Sequence, residues 1–179
     1  GVEGLREKVD VGIPVFWIKQ ENENWVKNNP EITLNIQTET FKYPSVNIIG
    51  KIEGTDPKLK NEYVLLSGHQ DHDGIRHPVK NDTIYNGADD NASTCVAILA
   101  MARAYKKQPS KRSILFVIHG AEERGLLGSR WHAAHPVVPK ESIVAVLNGD
   151  MIGRNDNNEA ALLGGEAPHK NSEELVKMA

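Results

Sequence analysis

The order of apolar segments predicts an α/β fold, a mostly parallel mixed sheet flanked by helices. Three observations carry this. From Tyr63 to Asp150 the chain reads strand, long loop, helix, strand, helix, strand. Its strand segments are continuous apolar runs, as in strands covered on both faces. Polar residues then collect just after these runs, where open α/β sheets leave a crevice beyond the carboxyl ends of their strands.

The elements follow in order. Val11–Ile18 is a short apolar strand candidate, and Pro14 places it at an edge or a strand start. Glu21–Pro30 is polar and Asn-rich, a helical turn or linker. In Glu31–Phe41, Ile32, Leu34 and Ile36 alternate with polar residues, which predicts a half-buried strand. Ser45–Glu53 is another strand, followed by a turn at Asp56-Pro57. Glu62–Ser67 is a buried central strand. Asn91–Lys107 is a helix with a broad apolar face of Val96, Ile98, Leu99, Met101, Ala102 and Tyr105, and Asn91 or Ser93 is suited to cap it. Ser113–Ile118 is a buried strand rich in β-branched residues. A helix over Leu126–Ala134 stops before Pro136. Ser142–Leu147 is a further buried strand and Ala160–Leu163 a shorter one. Ser172–Ala179 begins a helix that the chain does not complete, and Gly1 opens on what reads as mid-domain sequence, so the chain is expected to be a piece of a longer protein.

Bulk properties narrow the function. A length of 179 residues suits one domain with a sizeable core, and 39% hydrophobic with 25% charged residues is a globular composition. The net charge of −3 gives no electrostatic case for a nucleic-acid partner. No apolar stretch approaches the roughly 20 residues that span a membrane. The single cysteine, Cys95, excludes an internal disulfide and is expected as a buried small hydrophobe. Nothing sets an oligomeric state.

The polar residues fall at element ends. Tyr63–Ser67 runs into Gly68-His69-Gln70-Asp71-His72-Asp73, Ser113–Ile118 leads to Glu122-Glu123, and Ser142–Leu147 runs into Asn148-Gly149-Asp150. Asp89-Asp90 lies just before the Asn91 helix. With parallel strands, His69, Asp90, Glu122, Glu123 and Asp150 converge on one crevice. Taken singly, each motif has a plainer reading: Asp-Asp-Asn before a helix is a capping pattern, Glu-Glu an acidic turn, and Asn-Gly-Asp a turn. Together, four carboxylates would repel one another unless a cation sat between them. One imidazole with several carboxylates and no thiolate suits zinc, with manganese or cobalt as alternatives. Asp90 is placed to bridge two ions about 3.5–4 Å apart. Asp71 is placed to accept the other imidazole N–H of His69. His72 and Asp73 are alternative ligands, expected instead in solvent or supporting positions. His77, His119, His132, His135 and His169 are expected as surface or satisfied histidines.

Four of these stretches, Ser67–Asp71, Gly87–Ser93, Gly120–Ser129 and Asn148–Arg154, resemble in order and spacing the motifs of the co-catalytic zinc exopeptidase family, which includes bacterial secreted leucyl aminopeptidases and glutamate carboxypeptidase II. The resemblance implies a phosphorylase/hydrolase-like zinc exopeptidase fold, incomplete at its C-terminal end. Residues 21–179 would form the peptidase domain and residues 1–20 the end of a protease-associated insert. It implies two zinc ions, with His69 and Asp150 on one, Glu123 on the other and Asp90 between them. Glu122 would be the general base, Asp71 would orient His69, and Asp89 would not be a ligand. The implied activity is exopeptidase, foremost aminopeptidase, on peptide substrates outside the cytoplasm. The alternatives are a glutaminyl cyclase-like single-zinc acyltransferase and a metal-free binding module of the same fold. Thr94 stands where the family usually has Gly, and Gly149 where it has an apolar residue. The family's fifth ligand is a histidine well beyond the Asn-x-Asp motif; His169 follows Asp150 too closely to be it, which places that ligand beyond Ala179.

Overall fold

Two parallel strands, β2 (Tyr63–His69) and β5 (Ser113–His119), form the centre of a four-stranded sheet. A computed structural model describes residues 42–154 without a break, residues 18–33, and isolated positions on either side. It divides into Gly1–Pro44 and Ser45–Ala179. In the first unit, a short turn at Gln20–Asn22 leads into α1 (Glu23–Asn28), where Lys27 pairs with Glu23 at 2.6 Å.

The second unit holds the sheet, in the order β1-β5-β2-β6. Here β1 is Ile48–Ile52, antiparallel to β5, and β6 is Ile143–Asn148, parallel to β2. The three parallel strands put the carboxyl ends of β5, β2 and β6 side by side. The fold is α/β with a mixed, mostly parallel sheet, as the segment order predicts.

Helix α2 (Thr94–Lys107) covers one face. Its Ile98, with Met101, Ala102 and Tyr105, packs on Leu66, Ile114 and Phe116. Val96 and Leu99 point outward, so the apolar face is narrower than predicted: residues 94, 98, 101 and 105 make the stripe that meets the sheet. The opposite face buries Leu65, Leu115 and Val117, with Tyr63, Val138 and Ile143 against them. Each such side chain contributes about 1.5–3 kcal/mol by leaving water. Helix α3 (Leu127–Ala134) follows β5.

Several expectations need correction. The stretch Gln70–Gly87 is not wholly loop, since β3 (Gly74–Val79) and β4 (Asp82–Tyr85) form an antiparallel hairpin. The hairpin turns on Lys80 (φ 50°) and Asn81 (φ 69°), the paired left-handed residues of a tight two-residue turn. Strand β6 is not buried: among the described residues it pairs only with β2, and Val144, Val146 and Leu147 are exposed. The described residues of Glu31–Phe41 form no strand and are exposed, while Leu34 and Ile36 lie outside the described residues. Of Val11–Ile18, the described Ile13, Val15, Phe16 and Ile18 are exposed and form no strand; Pro14 and the others lie outside the described residues. Ser93 and Asn91 do not cap α2 through their side chains, which are used elsewhere. Of the C-terminal expectations, Ala161 is irregular, Leu163 is in a turn, and Glu173 and Lys177 are helical. The remainder of both segments, and His169, lie outside the described residues. No helix among the described residues is long and apolar enough to cross a membrane.

Candidate metal centre

His69 is the last residue of β2 and only 3% exposed. Its Nδ1 lies 2.9 Å from the main-chain oxygen of Asp71. A carbonyl oxygen only accepts, so this contact puts a ring proton on Nδ1 and, in the neutral ring, leaves a lone pair on Nε2. That Nε2 is buried and has no hydrogen-bond partner. Around it stand Asp90 Oδ1 at 3.2 Å, Asp150 Oδ2 at 3.5 Å and Glu122 Oε2 at 3.8 Å. A lone pair aimed into a ring of carboxylates fits a cation between them. Donor atoms around one tetrahedral zinc sit roughly 3.3–3.5 Å apart, close to the first two separations.

The other oxygen of Asp90 faces a second group. His72 Nδ1 lies 3.8 Å from Asp90 Oδ2 and 2.8 Å from Glu123 Oε1. Two sets of three donors therefore share Asp90: His69, Asp90 and Asp150, and His72, Asp90 and Glu123. All five predicted residues, His69, Asp90, Glu122, Glu123 and Asp150, come together. His72, expected only in a supporting position, joins them.

Asp90 sits in the turn Ala88–Ser93. Asp90 and Asn91 leave helical geometry inside it, and the peptide bond between them is cis. The residues on either side of Asp90 hold the Asp150 loop. Asn91 Nδ2 donates to Gly149 O at 3.0 Å, and Met151 N donates to Asn91 Oδ1 at 3.4 Å. Asp89 Oδ1 accepts from Gly153 N at 2.8 Å, and Ser93 Oγ accepts from Ile152 N at 3.2 Å. Asp89 is thus engaged away from the donors. These contacts were not legible from the capping pattern, which shows only that short polar residues gather before a helix.

Asp71 does something other than predicted. Its carboxylate is 3.8 Å from His69 Nδ1, too far for a hydrogen bond. It accepts instead from the main-chain N–H groups of Glu122, at 2.9 Å, and Glu123, at 3.1 Å. It fixes the acidic pair while its main-chain oxygen fixes His69. Asn47 pins the same loop, accepting from Gly120 N at 3.1 Å and donating to Gly128 O at 2.8 Å. Burial raises the pKa of Glu122; Glu123, Asp150 and Asp71 add to the rise and His69 opposes it. Asp73 pairs with Arg76.

Thr94 and Gly149, the two departures from the family pattern, touch each other. A Cβ on Gly149 would stand 2.7 Å from Thr94 Cγ2, and one on Gly68 would stand 2.6 Å from it. The threonine methyl fills the space beside both glycines. Cys95 is half-buried, and its thiol donates to His69 O at 3.0 Å. Behind the loop, His119 and His132 are 8% and 7% exposed with ring centroids 5.7 Å apart. His119 Nδ1 and His132 Nε2 are buried without hydrogen-bond partners, so these two are not the satisfied histidines expected. Burial, His132 and His69 together hold the His119 pKa down to about 4, and burial lowers that of His132.

Residues 47–179 match the model of peptidase family M28. The chain belongs to peptidase family M28. Among M28 relatives, the aminopeptidase YwaD of Bacillus subtilis is 36% identical over 125 residues, 70% of this chain and 25% of its own length. A probable leucine aminopeptidase of Arthroderma otae is 28% identical over 94% of this chain and 46% of its own. The chain therefore spans less than half the length of these relatives. The solved structure of a leucine aminopeptidase precursor from Bacteroides thetaiotaomicron superposes with a TM-score of 0.50 at 25% identity, over 62% of this chain and 43% of that one. The M28 match begins at residue 47, just before β1.

Proposed function

We propose that this chain carries the metal centre of a zinc aminopeptidase that removes N-terminal residues from peptides. The observation that carries the reading is the buried, unpartnered Nε2 of His69, its lone pair directed at Asp90 and Asp150. In this reading His69 and Asp150 would hold one zinc and Glu123 the other, with Asp90 shared. Zinc held there would supply Lewis-acid chemistry, polarising a scissile carbonyl and lowering the pKa of water. Glu122 takes a proton from the attacking water and passes it to the leaving amine. Asp71 holds the Glu122 and Glu123 main chain, so that the two adjacent side chains serve separate tasks. The names of the relatives support an N-terminal peptide substrate. Location outside the cytoplasm belongs to the same reading and rests on family resemblance.

The test separates the two glutamates. Glu122→Gln should bind zinc as the unaltered protein does and lose about 100-fold or more in turnover of a leucine anilide. Glu123→Ala should weaken zinc binding. Equal loss of zinc from both variants would contradict the division of labour. One ion per chain would favour a single-zinc acyltransferase, and none a binding module.

A further inference from the structure

We infer that His72 is a positioning residue: it holds one oxygen of the Glu123 carboxylate and so leaves the other for the second metal position. This deepens the two-ion reading above and rests on it. The metal ligands stay as that reading has them, and His72 is not one of them.

The contact itself decides between the two roles open to an imidazole. His72 Nδ1 lies 2.8 Å from Glu123 Oε1, a hydrogen-bond distance. An ionised carboxylate only accepts, so the proton sits on Nδ1, and a nitrogen that carries a proton has no lone pair to give a metal. Asp90 Oδ2, 3.8 Å from the same atom, is out of hydrogen-bond reach. Glu123 is thereby held at two points, its main-chain N–H by Asp71 at 3.1 Å and its carboxylate by His72. Glu122 shares only the first hold. Its N–H bonds Asp71 at 2.9 Å, while its carboxylate lies 3.8 Å from His69 Nε2, too far for a hydrogen bond. Of the two adjacent glutamates, the one assigned to metal has its side chain fixed, and the one assigned to carry protons lacks that restraint.

His72 is in turn seated by the hairpin. It stands just ahead of β3, and β4 returns the Tyr85 ring against it, with centroids 6.3 Å apart. At Gly87 (φ 67°) a Cβ would stand 2.7 Å from His72 Cβ and 2.6 Å from Asp90 O, so the returning main chain closes on the histidine where only glycine fits. A seated donor orients Glu123 better than a mobile one, since it has less side-chain freedom left to lose.

The test is equilibrium dialysis of the protein against zinc. The unaltered protein should take up two ions. His72→Ala should keep the first at unchanged affinity, which also reports that the variant is folded, and bind the second about 10–100-fold more weakly, the usual cost of losing a residue that orients a metal ligand. His72→Asn, whose amide N–H can stand in for Nδ1–H, should restore most of that affinity, a rescue that a merely structural role would not produce. In the zinc-loaded protein His72 Nδ1 should still carry its proton, read by nitrogen–proton NMR of the ring. Two ions bound to His72→Ala with unchanged affinity would overturn this inference and leave the two-ion reading standing. So would a loss in His72→Asn equal to that in His72→Ala, or an Nδ1 without its proton. Loss of both ions from His72→Ala would overturn the assignment to the second position. A single ion in the unaltered protein would overturn the two-ion reading and this inference with it.

Discussion

The two halves of the centre are built on different supports. The His69 half stands on a buried strand end and on a loop tied by Asn91, Asp89 and Ser93. The Glu123 half follows the central strand β5, its main chain bonded to the Asp71 carboxylate and its side chain to His72 at 2.8 Å. The His69 ring is locked in the sheet, whereas the Glu122-Glu123 turn is held by hydrogen bonds outside it. Local contacts open at lower free energy than core strands. The first half should therefore hold its ion more tightly, and damage should reach the second half first.

The shared residue breaks the comparison most completely. Asp90→Ala removes an oxygen from both sets, and zinc affinity should fall at both positions by about 100-fold or more, read by dialysis. Asp71→Ala should act on one side only. The amides of Glu122 and Glu123 lose their acceptor, so turnover and the second ion's affinity should each drop about 10–100-fold while the first ion stays.

Stability measurements sharpen the same contrast. The buried His119 and His132 lie behind the loop of the Glu123 half. With a folded pKa of about 4 against 6.5, His119 favours its neutral form in the fold. Its contribution is fully present above pH 6.5 and is lost as pH falls toward 4. Urea unfolding of the chelated protein across that range should show this decline, and His119→Leu should remove most of it. On the His69 side, Gly149→Ala should cost about 1–3 kcal/mol, because its Cβ would meet Thr94. Thr94→Gly should recover part of that loss in the double variant, and additive losses would show that the two residues are not coupled.

How far the site could be read in advance follows from what each residue depends on. His69, Glu122-Glu123 and Asp150 trail apolar strand runs, and parallel pairing suffices to gather them. The turn before α2 brings Asp90 with them by the same short-range logic. His72 depends on where a hairpin returns, which its sequence signals only through Lys80-Asn81. The exposure of β6 depends on sheet order, to which a run of apolar residues is blind. The His119–His132 contact joins residues on separate elements with no shared motif. The roles of Asp89, Asn91 and Ser93 depend on a loop some sixty residues away, which local capping patterns do not register.

An anomalous difference map at the zinc absorption edge, from crystals of the protein grown with zinc, tests the two-part centre most directly. Two peaks about 3.5–4 Å apart are expected, one among His69, Asp90 and Asp150 and the other beside Asp90 and Glu123. The absence of any peak at these donors would contradict the metal centre, and a single peak would contradict its two-part construction.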